Sequence, residues 1–499
     1  MKKKSVRSDV KSSASKPVPP QSSGISPQAP RTEPAFARYP LTYMAASILL
    51  LAPCFWQSRL QAGDLSSHIY NAWLAQLISR GQAPGLSIAP QSTNVLFDWM
   101  LSALFQCAGA GAAQRISAAL AVLVFGWGAF AFVSVVSERF AWRIMPWVVV
   151  LSYGWVFHMG FFNFYLSLGL CFWALAFAWS GQMRGLAIAA AILAVGYLAH
   201  ALPVFWTIGV LAYIWLARRS GTRNQLKLLG AALLAVVALR MALSSLLVTR
   251  WSGQQITLIT GVDQLWVFDD KYLPLAAGTL LIWGVWLWRN KGFWRSLQFQ
   301  ICLITAAGIL LIPSAISIPG YKHSLVYIAE RMSLVLGICV CAVLATGPSR
   351  SYDRYLTSIL AVLFFAMLYR DERLLNLFED RVNTAVTQVP ANARVIGSIE
   401  QSSLRVNALA HMVDRSCVGR CYSYANYEPS TAQFRVRVNG ENPIVAATYA
   451  DSFGMQNGRY MVKERDLPLY QLLADDNGQI QIRIPAAGQP CGITAWSVL

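Results

Sequence analysis

Between residues 40 and 370 the sequence returns repeatedly to apolar runs long enough to span a bilayer, and few folds accept that pattern. In hydrocarbon every backbone polar group must be satisfied internally, so such runs fold as helices packed in a bundle. The 499 residues are 56% hydrophobic and only 13% charged, which excludes an ordinary soluble globule. A net charge of +18 would suggest nucleic acid for a soluble chain. Here the basic residues sit mainly in short loops between apolar runs and read as topology signals, so no nucleic-acid partner is expected.

Residues 1–39 are rich in Ser, Pro and basic residues and nearly free of large aliphatics. Such a segment cannot bury enough apolar surface to fold, and we read it as a disordered basic cytoplasmic tail. No small-residue cleavage site follows an early apolar core, so the first helix, about 40–57, is expected to remain as a signal anchor.

Two apolar stretches require an argument from length. Residues 144–182 would make a helix of roughly 58 Å, whereas the hydrocarbon core is about 30 Å thick. Arg139 and Arg143 precede this stretch and Arg184 follows it, so the positive-inside rule demands an even number of crossings. Residues 185–217, between Arg184 and the Arg218, Arg219, Arg223 group, read the same way. Each stretch is expected to be a hairpin with its tip outside. The full series is 40–57, 114–137, 144–159, 162–182, 185–200, 202–217, 226–248, 273–289, 299–315, 332–347 and 355–370. That is an all-α polytopic bundle of about 11 transmembrane helices over residues 40–370, with a first outer loop at 58–113.

After Asp371 the composition changes. "VPANARVIGSI", "AQFRVRVN", "NPIVAATYA" and "GQIQIRIP" alternate apolar and polar residues between turn residues and read as strands. Residues 371–499 are therefore expected to form a small extracytoplasmic α+β domain. It holds Cys417, Cys421 and Cys491, from which one disulfide could form, and spacing does not choose the pair.

On this topology the chemically capable residues gather on one side. "GDLSSHIYNAWLAQ" places Asp64 and His68 four apart on one helix face at the exit of the first span. Asp64 there is either a helix cap for free backbone amides or a partly desolvated general base for an acceptor hydroxyl. The tips "FHMGFFNF" and "LAHALP" carry His158, Asn163 and His200. "GYKHSLVYIAERMS" supplies Lys322, His323, Glu330 and Arg331, either as interfacial charges or as a phosphate-binding group. Asp64, His68, His158 and His200 could also make a nitrogen–oxygen site for zinc or manganese. Arg240, inside "LLAVVALRMALSSLL", should face protein or water. No nucleotide-binding loop, zinc-protease motif or nucleophile elbow is present in the sequence.

The first helix followed by a long outer loop with Gly63 and Asp64 almost at once, the amphipathic segments 65–80 and 94–108, about eleven helices and a C-terminal outer domain resemble the GT-C superfamily of membrane glycosyltransferases. The segments "HMGFFNFYLSLGL" and "YKHSLVYIAERMSL" are similar to stretches of uncharacterised bacterial members. The resemblance implies a hexosyl- or pentosyltransferase of a bacterial inner membrane, N-terminus inside, moving sugar from a polyprenyl-phosphate donor to a glycan, lipid or protein acceptor. It implies Asp64 as the residue that activates the acceptor or holds a divalent ion (Mg or Mn), with Arg331 a partner for the lipid phosphate. Many members carry two adjacent acidic residues, but Asp64 is followed by Leu65, Ser66 and Ser67, which leaves His68 for the second role. Rival readings are a transporter or flippase of lipid-linked saccharides, a polymerase or ligase of the same substrates, and a non-catalytic scaffold.

Overall fold

The apolar runs fold as helices, whose bounds depart from the expected spans in several places. The computed structural model describes residues 40–320, 322, 324–348, 350–400, 404–475 and 477–495, so the tail expected over 1–39 lies outside the described residues. The apolar runs give α1 (Pro40–Leu51), α3 (Leu96–Val136), α4 (Met145–Ser152), α5 (Phe162–Ala178), α6 (Met183–Ala199), α7 (Ala201–Arg219), α8 (Thr222–Leu246), α9 (Leu273–Arg289), α10 (Leu297–Leu311), α11 (Ile328–Thr346) and α12 (Ser351–Gln388). Between α1 and α3, the first loop carries α2 (Leu65–Ser79). By length and composition α3, α7, α8, α11 and α12 suffice to cross a membrane, and α1, α5, α6 and α10 belong to the shorter apolar helices.

Both long stretches break where their polar residues lie. The first stops at Ser152, makes a single turn at Trp155–His158 and restarts at Phe162; the second breaks at His200, whose backbone is extended. The segment expected as an amphipathic helix over 94–108 runs into the next span, and α3 passes through a kink at Gly109. Helices α3 and α5 approach at backbone contact: a Cβ on Gly128 would lie 2.5 Å from the Gly169 carbonyl oxygen. Small residues at such crossings replace the hydrophobic drive that lipid does not supply. Helix α11 is central, with 78% of its apolar window buried, against 0% for α8 at the periphery. Arg143 donates to the carbonyls of Ala345 (2.9 Å) and Gly347 (2.8 Å) at the end of α11, and Arg139 also reaches Gly347 (2.9 Å). These loop arginines therefore cap a helix C-terminus, where orphan carbonyls favour cations. Arg240 lies exposed on α8, its guanidinium 5.2 Å from the Trp251 ring centroid.

Helix α12 runs straight through position 371, where the composition changes. Its residues 372, 376 and 379 share a face, and that face is polar and buried. Glu372 accepts from Trp56 Nε1 (2.6 Å), Asn376 accepts from Ser58 Oγ (2.8 Å), and Glu379 accepts from Gln61 Nε2 (2.8 Å). The expected boundary between a span ending at 370 and a domain starting at 371 thus falls inside one helix. Hydropathy registers the buried polar stripe as the end of an element, whereas the chain uses it to grip residues 56–61. Residues from Ser47 onward form one compact unit.

Beyond α12 lies a four-stranded sheet. Strand β4 (Arg394–Gly397) pairs in parallel with β6 (Tyr422–Ser423) and β8 (Leu469–Ala474), and β8 pairs antiparallel with β9 (Ile480–Arg483). Two short parallel strands, β5 (Ile399–Glu400) and β10 (Thr494–Ala495), pair beside it. Strand β1 (Leu86–Ile88) of the first loop pairs antiparallel with β7 (Val436–Val438), tying loop to C-terminal segment. A further antiparallel pair, β2 (Val248–Arg250) and β3 (Ala315–Ser317), links α8 and α10. "NPIVAATYA" departs from the expected strand. Asn442 Oδ1 accepts from the amides of Ile444 and Val445, and Thr448 caps a helix at Tyr449–Gln456, so local side-chain bonds replace the ladder. Before β6 comes α13 (Met412–Cys417); the helix at Tyr449–Gln456 is α14. The disulfide joins Cys417 to Cys421, and Cys491 is a buried thiol.

Candidate functional site

The site is built around the start of α2. Asp64 occupies the N-cap position, yet its side chain makes no capping bond. Its backbone is gripped instead: the Gly63 amide donates to His158 O (2.8 Å) and the Asp64 amide to Met159 O (3.0 Å). Gly160 closes that turn at φ +83°, and a Cβ there would come within 2.5 Å of the Asp64 nitrogen. The "HMG" motif is thus a backbone cradle, which leaves the Asp64 carboxylate directed into a cavity.

That cavity has a volume of about 680 Å³, and its lining includes Asp64, His68, Asn163, His200, Arg331 and His411. Five of these are residues singled out in the sequence. His158 is not among the lining: it is 1% exposed, with Nε2 3.2 Å from Glu372 Oε1. Its expected role in a shared site gives way to a structural one, because its carbonyl holds the first loop. Lys322 is exposed and Glu330 half-buried, and neither lines the cavity. His323 lies outside the described residues.

Two imidazole–carboxylate pairs flank Asp64. His68 Nδ1 lies 2.7 Å from Asp98 Oδ1, and Asn163 Nδ2 donates to the other Asp98 oxygen at 2.8 Å. Burial alone would lower the His68 pKa, but the charge and hydrogen bond of Asp98 raise it to about 9. On the opposite side His411 Nδ1 lies 2.7 Å from Asp414 Oδ2, whose partner oxygen accepts from Ser423 Oγ. Here too burial is overcome, by the Asp414 hydrogen bond and charge, and the imidazole rises to about 9. His411 Nε2 stands 3.9 Å from Asp64 Oδ1, an ion-pair separation rather than a hydrogen bond. Glu428 accepts from Ser67 Oγ at 2.9 Å; burial pushes its carboxyl up to about 7 against the opposing charge of His68.

The cationic end is formed by Arg331 and His200. The Arg331 guanidinium lies 3.8 Å from the Phe161 ring centroid, and its Nη1 is 3.5 Å from His200 Nε2. His200 Nδ1 accepts from the Leu202 amide at 3.2 Å as a helix cap. A neutral imidazole that accepts at Nδ1 carries its proton on Nε2, so Arg331 and His200 both present donors to the same space. Arg331 is also within electrostatic reach of Asp64.

Reading the sequence missed His411, Asp414, Asp98 and Glu428. The available signal for the first pair was "HMVD", the fifth histidine with a carboxylate three residues on. Nothing local marked Asp98 or Glu428. Among the described residues no three His, Cys, Asp or Glu side chains converge as a metal-holding group.

No protein-family model, curated protein or solved structure matches the chain.

Proposed function

We propose that this protein is a multi-pass glycosyltransferase of a bacterial inner membrane that moves a sugar from a polyprenyl-phosphate-linked donor to an acceptor hydroxyl at the outer face. The observation that carries this reading is the Asp64 carboxylate, not used as a helix cap and lining a cavity that Arg331 and His200 also line. In this reading eleven crossings leave the N-terminus inside and residues 389–495 outside. The first loop and the C-terminal segment then close over the mouth of the bundle through β1 and β7.

The chemistry is a single displacement. Asp64 accepts the proton of the acceptor hydroxyl as its oxygen bonds to the anomeric carbon. The bond from that carbon to the phosphate oxygen breaks, and its electron pair leaves with the phosphate. The charge gathering on the phosphate meets the paired donors of Arg331 and His200, an electrostatic contribution that grows toward the transition state. Attack from the side opposite the leaving group inverts the anomeric centre.

Asp64→Asn tests the proposal. The variant keeps shape and backbone grip but is not basic, so transfer from a radiolabelled polyprenyl-phosphate sugar in membranes should fall by about a hundredfold or more with normal insertion. Full transfer by this variant removes Asp64 from the mechanism. Uptake or flipping of labelled lipid without any covalent product favours the transporter reading instead.

A further inference from the structure

The cavity does not end at the charged groups. It continues along the C-terminal segment, where its lining includes Gln433, Phe434, Tyr449, Phe453, Gln456 and Asn457. Among the described residues, the lining from 433 onward holds no charged side chain. The charged and imidazole groups of the lining, Asp64, His68, His200, Arg331, His411 and Glu428, precede these residues in the chain, and Tyr427 joins the two sets, its ring centroid 6.0 Å from that of His411 and 5.8 Å from that of Phe434.

The aromatic residues here form a ledge. Tyr449 and Phe453 are four apart on α14, and their ring centroids lie 5.9 Å apart at 35°. Phe453 is 49% exposed although it is a large apolar side chain beside a cavity. Thr448 caps α14 through the Asp451 amide, which fixes the ledge at its N-terminal end. Gln456 Nε2 donates to Ala425 O at 2.9 Å and Asn457 Nδ2 to Phe453 O at 2.7 Å, so both amide planes are held in place.

Each alternative occupant meets a mismatch. A second phosphate would find no cationic lining residue from 433 onward among the described residues. An acyl chain would take the remaining polar atoms of the Gln456 and Asn457 amides out of water with nothing in the hydrocarbon to replace it. A neutral sugar matches both surfaces: its C–H face packs on aromatic rings while its hydroxyls bond to side-chain amides. The volume, about 680 Å³, falls in the range of cavities that enclose ligands of that size.

We propose that the acceptor is a neutral saccharide whose terminal residues stack on the Tyr449–Phe453 ledge, directing one hydroxyl toward Asp64. This assignment rests on the glycosyl-transfer reading for its role, but saccharide binding can be measured without it. The full chain in lipid nanodiscs, free of glycosidic detergent, is titrated with maltose, cellobiose, mannobiose and N,N′-diacetylchitobiose by saturation-transfer NMR. At least one probe should bind saturably, about tenfold more weakly to Phe453→Ala and normally to Phe453→Trp. An unchanged thermal unfolding midpoint in Phe453→Ala excludes loss of fold. If none of the four probes binds, or if the double variant Tyr449→Ala/Phe453→Ala binds as well as the wild type, the saccharide ledge is overturned. Undecaprenyl phosphate is titrated in parallel with the wild type and Arg331→Met. Lipid-phosphate binding that depends on Arg331, without saccharide binding, refutes the ledge alone. Saccharide binding without lipid-phosphate binding supports the ledge and refutes the transfer reading.

Discussion

Replacing Glu379 by Gln tests whether the buried stripe of α12 holds the site together. Arg415 donates to this carboxylate through Nε (2.7 Å) and Nη2 (2.5 Å), Gln61 through Nε2 (2.8 Å), and Arg59 Nε stands 3.2 Å away. The Glu379 side chain is 0% exposed and that of Arg415 only 8%. A neutral amide turns one of its own donors toward the guanidinium and leaves two arginines without their shared counter-ion. Removing one partner of a buried pair destabilises by about 3–5 kcal/mol. The control is one residue away: Asp380 also pairs with Arg59, but its side chain is 58% exposed. Asp380→Asn should therefore cost less than about 1 kcal/mol. Thermal unfolding of both variants in the same lipid should show a fall of about 3–5 °C for Glu379→Gln and about 1 °C or less for Asp380→Asn. Arg415 belongs to α13, which directly follows His411, so the first variant should also lose transfer. Equal shifts in the two variants would refute the argument that burial makes this stripe the clamp.

The cradle under Asp64 and the two imidazoles give further expectations. Gly160→Ala forces a Cβ to within 2.5 Å of the Asp64 amide at a positive φ, so transfer should drop at least tenfold while Gly111→Ala, at an ordinary φ with nothing within 4 Å of the added Cβ, leaves transfer unchanged. His68, facing Asp98, Glu428 and Asp64, and His411, facing Asp414, Asp64 and Glu428, each have a folded pKa of about 9, above the ordinary 6.5. Each imidazolium thus stabilises fully below about pH 6.5 and loses that contribution as pH rises through about 9, a change of about 3 kcal/mol apiece. The raised carboxyl of Glu428 acts earlier, lowering stability from about pH 4.5 to 7. Between pH 7 and 10 the unfolding midpoint should fall, and His68→Asn or His411→Asn should flatten part of that fall. A wild-type midpoint constant over this range contradicts the charge assignment.

Much of the bundle was legible because its signals are local. Hydropathy and helix length locate α1 and α3 to α12, and the break at His200 follows from polar residues and a proline inside an apolar run. Asp64, His68, Asn163, His200 and Arg331, singled out from the sequence, line one cavity. What hydropathy obscured is the second half of α12, where a buried polar stripe resembles a surface. Local bonding at Asn442 and Thr448 likewise replaced a strand with a turn and helix.

The sequence by itself determined a helical, apolar chain and marked Asp64, between the first helix and the next, as a cap or a base, because propensity, length and charge act over a few residues. Only the tertiary structure decided that His158 supports the backbone rather than the cavity, that His411 and Asp414 return from more than three hundred residues away to face Asp64, and that Cys417 pairs with Cys421. Those choices depend on which surfaces α12 and the β1–β7 pairing bring together, a matter of packing across the chain that no short stretch encodes.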